Sequence, residues 1–217
     1  MKTADTNSLR PRKMPRQARS EATVAAIYEA TIQVLLTQGL RRLTTTRVAE
    51  RAGVSVGTLY QYFPNKHALL YSLLEHHLND VATKVESACR DCRGRNLSDV
   101  TASIVHAYMS AKTDRVDESS VLYQVFAELN ATELVGHTGN RINSAITGAL
   151  ASVRDADFDD LPTVVFILRG AMSGVTRSLL EHNAMLQRPG DDTLSEQTTL
   201  LCMAYLCALA DRKLPAL

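Results

Sequence analysis

The chain has 217 residues, of which 45% are apolar, 22% charged and 5% aromatic, a balance that fits one large or two small globular domains and excludes a collagen, a disulfide scaffold or a wholly disordered chain. A net charge of +1 hides an asymmetry: residues 1–70 carry 11 Lys and Arg against 4 Asp and Glu, net +7, while 71–217 carry 13 against 19, net −6. A polyanionic partner is therefore expected at the front of the chain only, with an ordinary solvated charged surface as the alternative.

Residues 1–19 hold six basic residues, two prolines and few apolar side chains, and are expected to form a flexible basic arm, since they bury too little surface to offset ordering. From Ser20 the pattern turns helical. Val24, Ile27, Tyr28, Thr31, Val34 and Leu35 fall on one face, Ser20 is placed to cap and Gly39 to stop the helix. Thr44 or Thr45 then caps a short helix with Val48, Ala49 and Ala52 inward, Gly53 supplies a tight bend, and Ser55 caps a second short helix with Leu59 and Phe63 inward. Two such helices joined by a glycine turn describe a helix-turn-helix, about 43–62. Pro64 ends it, and Asn65 is placed to cap a long helix through Leu70, Leu74, Leu78, Val81 and Val85 that CRDCRGRN (89–96) breaks. Further helices are expected near 97–112, 119–130, 138–153, 161–183 and 194–211. No segment alternates with a period of two, so the fold is expected to be all-α.

A helix laid in the major groove needs an unobstructed outer face. With Leu59 and Phe63 inside, Val56, Gly57, Thr58, Tyr60, Gln61 and Tyr62 fall outside or on the margins. Gly57 lets the backbone approach a duplex, Thr58 can bond a phosphate or touch a thymine methyl, and tyrosine hydroxyls can donate to phosphates. Lys66, in the first turn of the long helix, opposes the helix dipole, which favours a phosphate partner as its reason for being there. Gln61 either reads adenine or stays in solvent.

The run from Leu43 to Leu70, with its turn Gly53, the Thr58-Leu59-Tyr60 triplet and the terminal Lys66, closely resembles the DNA-binding signature of the TetR/AcrR family of transcriptional regulators, over roughly residues 20–75. It departs from the family pattern at Gln61-Tyr62, where an aromatic followed by histidine is frequent. The resemblance implies an N-terminal three-helix DNA-binding domain, here 20–80, followed by a C-terminal helical domain, 81–217, that binds a ligand and dimerises. Carried over by position, Thr45 and Lys66 would contact phosphate, Thr46, Val56, Gly57, Thr58 and Tyr60 would face bases or sugars, and Tyr62 would meet the backbone. The implied protein is a one-component, ligand-responsive regulator, a repressor that binds a palindromic operator in double-stranded DNA as a homodimer and is released by a small hydrophobic or amphipathic effector.

Within the later helices, 161–180 is apolar on most of its circumference and needs partners on several sides. By resemblance, the helices at about 161–183 and 194–211 would form the dimer interface. Gly170 and Gly174, four apart, allow either close helix approach there or ordinary intrachain packing. Arg169 either reaches a carboxylate such as Glu128 or lines a cavity that takes an anionic ligand, and the ion pair is the expectation because buried charges are normally paired. Tyr108, Met109, Tyr123, Phe126 and Met172 join Arg169 as candidate pocket walls, though such side chains also build plain core. The longest apolar run, VVFIL at 164–168, ends at Arg169 and falls short of the ~18 residues of a bilayer span; with no secretory signal in the first residues, a cytoplasmic protein with no membrane partner is expected.

Cys89-Arg90-Asp91-Cys92 is a C-x-x-C without a second pair, so zinc is not expected; inert thiols are, with a redox-responsive regulator as the alternative. Adjacent His76 and His77 point to different helix faces, poor geometry for one metal. No Ser/His/Asp grouping or phosphate-cradling glycine loop supports an enzyme, and no cofactor is expected.

Overall fold

The structure, a computed structural model, describes residues 18–182 and 191–210. The basic arm expected at 1–19 lies outside the described residues except for its last two, which open the first helix. The described residues form nine α-helices and no strand: α1 (Ala18–Gln38), α2 (Thr45–Ala52), α3 (Val56–Tyr62), α4 (Lys66–Asp91), α5 (Leu97–Thr113), α6 (Val116–Leu129), α7 (Thr132–Leu150), α8 (Leu161–His182) and α9 (Asp191–Leu209), with a 3-10 turn at Leu40–Arg42. The fold is all-α, as the periodicity predicts.

The helices divide into two compact units. The first runs to His77 and also takes 117–132, so α6 groups with the N-terminal helices, whereas the sequence pattern puts it in a C-terminal domain beginning at residue 81. The second comprises 78–116 and the residues from 133 onward, and α4 contributes to both.

In the first unit the predicted face of α1 is buried: Val24, Ile27, Thr31, Val34 and Leu35 are all inside. Thr31 returns its hydroxyl to the Ile27 carbonyl at 2.7 Å, which is how a polar side chain can be buried here without an orphaned donor. Tyr28, half-buried, ties α1 to α4 and to the residue that ends α3: its hydroxyl lies 2.7 Å from Ser72 Oγ on α4, and its ring stacks on His76 and tilts against Phe63. Helix ends follow local chemistry. Gly39 (φ 76°, with extended ψ) follows α1 and Gly53 (φ 67°, left-handed) ends α2, both at positive φ where a side chain would be strained.

In the second unit α5 packs against both α8 and α9, and those two pack together. The core includes Val85, Ile104, Met109, Ile146, Val165, Leu168, Met172 and Leu206. Two loops are clasped: Gly94 N–H donates to Ser152 Oγ at 3.0 Å, Arg154 N–H to the Arg95 carbonyl at 3.2 Å, and Leu97 N–H, an orphan donor at the start of α5, to Asp155 Oδ1 at 2.7 Å. Arg141 on α7 grips both carboxylate oxygens of Glu86 on α4 at 2.9 Å each and also bonds Asn79 Oδ1 at 2.7 Å. By length and composition α8 is the one described helix apolar enough to cross a membrane; it packs instead on α5 and α9.

Two expectations for α8 need correction. Arg169 makes no ion pair with any described residue, and Glu128 is exposed. The guanidinium lies instead against Gly139 of α7, where a β-carbon would stand 3.5 Å from Nη1. Gly170 and Gly174 are exposed, and a β-carbon on either would meet nothing within 4 Å, so intrachain packing is not what requires glycine there.

Candidate nucleic-acid interface

α2 and α3 are only 8 and 7 residues long, too short to be stable alone, so their ends matter. Thr44, rather than Thr45, caps α2 by accepting from Arg47 N–H at 3.3 Å. Ser55 caps α3, accepting from Thr58 N–H at 2.9 Å, with its Oγ 2.8 Å from Thr58 Oγ1. Asn65 caps α4 by accepting from Ala68 N–H at 2.8 Å. Gly53 joins the first two helices as the sequence pattern requires.

Leu59 and Phe63 are fully buried, which turns the rest of α3 outward. Gly57, Tyr60 and Gln61 are exposed, and Val56, Thr58 and Tyr62 are half-buried at the margins. Tyr62 leans on the buried Phe63 ring, with centroids 6.4 Å apart. Thr46 is exposed and Thr45 half-buried at the start of α2. The structure brings two of the expected contact residues together: Thr45 Oγ1 and the Tyr60 hydroxyl are 3.1 Å apart, so the start of α2 and the middle of α3 present their hydroxyls side by side. Lys66 stands apart. It is partly buried and donates to the Leu40 carbonyl at 3.0 Å, so a backbone oxygen gives the ammonium the partner that sequence reasoning sought in a phosphate.

Sequence reasoning passed over four cations of the same unit. Arg41, Arg42, Arg47 and Arg51 are all exposed. Arg47 is anchored by the Arg42 carbonyl and Arg51 by Gln33 Oε1 at 2.6 Å, so both guanidiniums are held rather than loose. Their signal was present in the net +7 of the first seventy residues. Exposed cations in the same unit as the hydroxyls, glycine and amide of α2 and α3 supply the residue types that engage phosphates and base edges.

The remaining candidates separate between the units. Tyr108, Met109 and Met172 are buried in the core of the second unit, where Arg169 acts electrostatically on the Tyr108 hydroxyl. Tyr123 and Phe126 belong to the first unit and pack against each other, centroids 6.1 Å apart. Cys89 and Cys92 are both buried, with Cys92 Sγ donating to the Cys89 carbonyl at 3.6 Å. Burial pushes the Cys89 thiol up to about 12 and raises that of Cys92 also, which makes both poor nucleophiles at neutral pH.

Comparison with known proteins agrees with this geometry. Residues 27–73 match the family described as bacterial regulatory proteins, tetR family, and residues 96–206 match the tetracyclin repressor-like C-terminal domain. The transcriptional repressor KstR of Mycolicibacterium smegmatis is 30% identical over 132 residues, which is 58% of this chain, and the chain spans about three fifths (61%) of KstR's length. A Mesorhizobium loti structure described as that of a TetR-family regulator superposes with a TM-score of 0.73 at 14% identity, covering 90% of this chain and 100% of that one. SmeT, the repressor of the Stenotrophomonas maltophilia multidrug efflux pump SmeDEF, gives 0.66 at 19% identity over 88% and 92% of the two chains. At those identities the likeness speaks for the fold, while the C-terminal family match alone covers half of the sequence: the chain belongs to the TetR family of transcriptional regulators.

Proposed function

We propose that this regulator is a ligand-responsive repressor that binds a two-fold symmetric operator as a homodimer, with α3 in the major groove and the start of α2 on the flanking phosphates. The observation that carries the reading is the outer face of α3, where Gly57, Tyr60 and Gln61 are exposed over a buried Leu59 and Phe63. A groove-reading helix requires that division. Thr45, Thr46, Val56, Thr58 and Tyr62 complete the contact set, and Lys66 with its remaining N–H donors reaches a phosphate from beside Leu40.

Homodimerisation through α8 and α9 is supported by the apolar side chains they leave in solvent. Phe166 is 62% exposed, Leu200 63% and Leu201 52%, beside the open Gly170 and Gly174. Two recognition helices related by a two-fold axis demand a near-palindromic site. The effector, small and hydrophobic or amphipathic, binds within the second unit, around Tyr108, Met109, Arg169 and Met172. It releases DNA by binding better to the conformation whose recognition helices are wrongly spaced. Such a protein works in the cytoplasm, where its operator is.

The test is a panel of purified variants measured for melting and for binding to the palindromic DNA upstream of the encoding gene. Thr58→Ala and Tyr60→Phe should each weaken operator binding by about 1–3 kcal/mol with melting nearly unchanged. Full operator affinity in both variants would remove α3 from the interface.

A further inference from the structure

Two cations of the second unit, Lys112 and Arg169, are half-buried beside its core, where charge is uncommon. Lys112 and Tyr108 sit one turn apart on α5, and the Lys112 ammonium stands over the Tyr108 ring, 6.0 Å from its centroid. Tyr108 is 5% exposed and lies in the same core as Met172 of α8. Thr176, buried on α8, returns its hydroxyl to the backbone carbonyls of Met172 and Ser173. Arg169, two turns before Thr176, supplies the second charge, close enough to act on the Tyr108 hydroxyl. One buried tyrosine thus has a cation over its ring and another acting on its oxygen, from two helices packed together.

Neither cation is neutralised. Among the described residues no carboxylate pairs with Lys112 or Arg169, and Arg169 Nε is buried without a hydrogen-bond partner. Burial pulls the Lys112 ammonium below the ordinary lysine value, the mark of a charge that has lost water and gained no counter-charge. On α7, Gly139 leaves room for the Arg169 guanidinium, and Asn143, one turn further along, also has a buried side-chain oxygen with no partner. An amide can present either its oxygen or its NH2 group to a visitor. Buried charges are costly and persist where something pairs them. The core beside them is apolar and adaptable, with Met109 and Met172 fully buried in it.

We propose that Lys112 and Arg169 hold the anionic head group, carboxylate or phosphate, of an amphipathic effector whose apolar body packs among Met109 and Met172. This rests on the reading of the second unit as the effector domain and assigns that effector a charge. Each cation would contribute a charge-assisted hydrogen bond, worth roughly tenfold or more in affinity.

The experiment titrates the full chain with octanoate, dodecanoate and hexadecanoate, with the alcohols of matching length, and with dodecyl phosphate, reading melting temperature and calorimetric affinity. At one or more chain lengths the anion should bind at least about tenfold more tightly than its alcohol, and the better of dodecanoate and dodecyl phosphate identifies the head group. Lys112→Met and Arg169→Met should each remove about tenfold or more of that anion affinity while leaving the alcohol's unchanged. In the ligand-free protein Lys112→Met should raise the melting temperature, because it deletes an uncompensated charge, whereas a lysine paired for structural reasons would lower it when removed. Equal binding of anion and alcohol at every length, no binding at all, or undiminished anion affinity in both methionine variants would overturn the proposal. Operator binding by the ligand-free wild type, measured alongside, separates the two ideas: if it is retained while the anions are not distinguished, the anion site fails alone and the regulator stands.

Discussion

The two units of this chain sort their side chains by opposite rules. In the first, Ile27, Val48, Leu59 and Phe63 are inside, while the cations Arg41, Arg42, Arg47 and Arg51 stand in solvent. In the second, Phe166, Leu200 and Leu201 stand in solvent, while Arg169 and Lys112 are half-buried near Tyr108. The first arrangement is complete as a single chain and offers a polar face to a polyanion. The second is incomplete on both counts, with apolar surface that wants a cover and charge that wants a partner. A DNA-facing surface can consist of ordinary exterior, whereas dimer and effector sites leave departures from ordinary folding.

The comparison breaks most visibly at its apolar exterior. Phe166→Asp or Leu200→Asp changes an exposed position, so a monomeric protein should keep its melting behaviour. If α8 and α9 join two chains, gel filtration should show a monomer, and operator affinity should fall by at least about a hundredfold through loss of the linked second half-site. An unchanged elution volume with normal DNA binding would place the dimer contact elsewhere.

Next in size is the interior of the first unit. Leu59→Ala should cost about 2–5 kcal/mol in denaturant unfolding, because a fully buried side chain leaves a cavity. Its neighbours on the outer face of α3 should tolerate truncation with little loss of stability. A small effect at Leu59 would mean that α3 is held by its caps rather than by its core contact.

The smallest effect sharpens the account of the second unit. Glu86 is held below the ordinary carboxylate range, first by the hydrogen bonds from Arg141. A depressed folded-state value means that the stabilisation is present above the unfolded carboxylate pKa and lost as pH falls through the folded one. Glu86→Gln should therefore lower stability by about 0.5–1 kcal/mol near neutrality, and the gap to wild type should close in acid. A gap that persists at acid pH would mean that the glutamate contributes by packing rather than by charge.

What was legible in the sequence was local chemistry. Ser55, Asn65, Gly39 and Gly53 act within a few residues of themselves, and the caps and stops they form are where the pattern put them. The division of α3 into Leu59 and Phe63 inside and Tyr60 and Gln61 outside also follows from spacing alone. What escaped was tertiary. Lys66 reaches Leu40 across 26 residues, a contact that no helix-dipole argument contains. Arg169 was expected to pair because isolated buried charges are rare, and the structure gives it Gly139 and Tyr108 instead of a carboxylate. Lys112 lies in Ser-Ala-Lys-Thr-Asp, which reads as a solvated helix end, and only its position one turn after Tyr108 hinted otherwise.

The central claim, that α3 of a dimer reads a two-fold DNA site, is tested most directly by titrating the DNA upstream of the gene and a scrambled duplex with the full chain across a salt series. An even number of chains should bind each operator, with a preference for it of at least about a thousandfold over the scrambled duplex. Affinity should also fall by roughly a thousandfold or more between 50 and 200 mM salt. Equal affinity for both duplexes, or binding that does not change with salt, would contradict it.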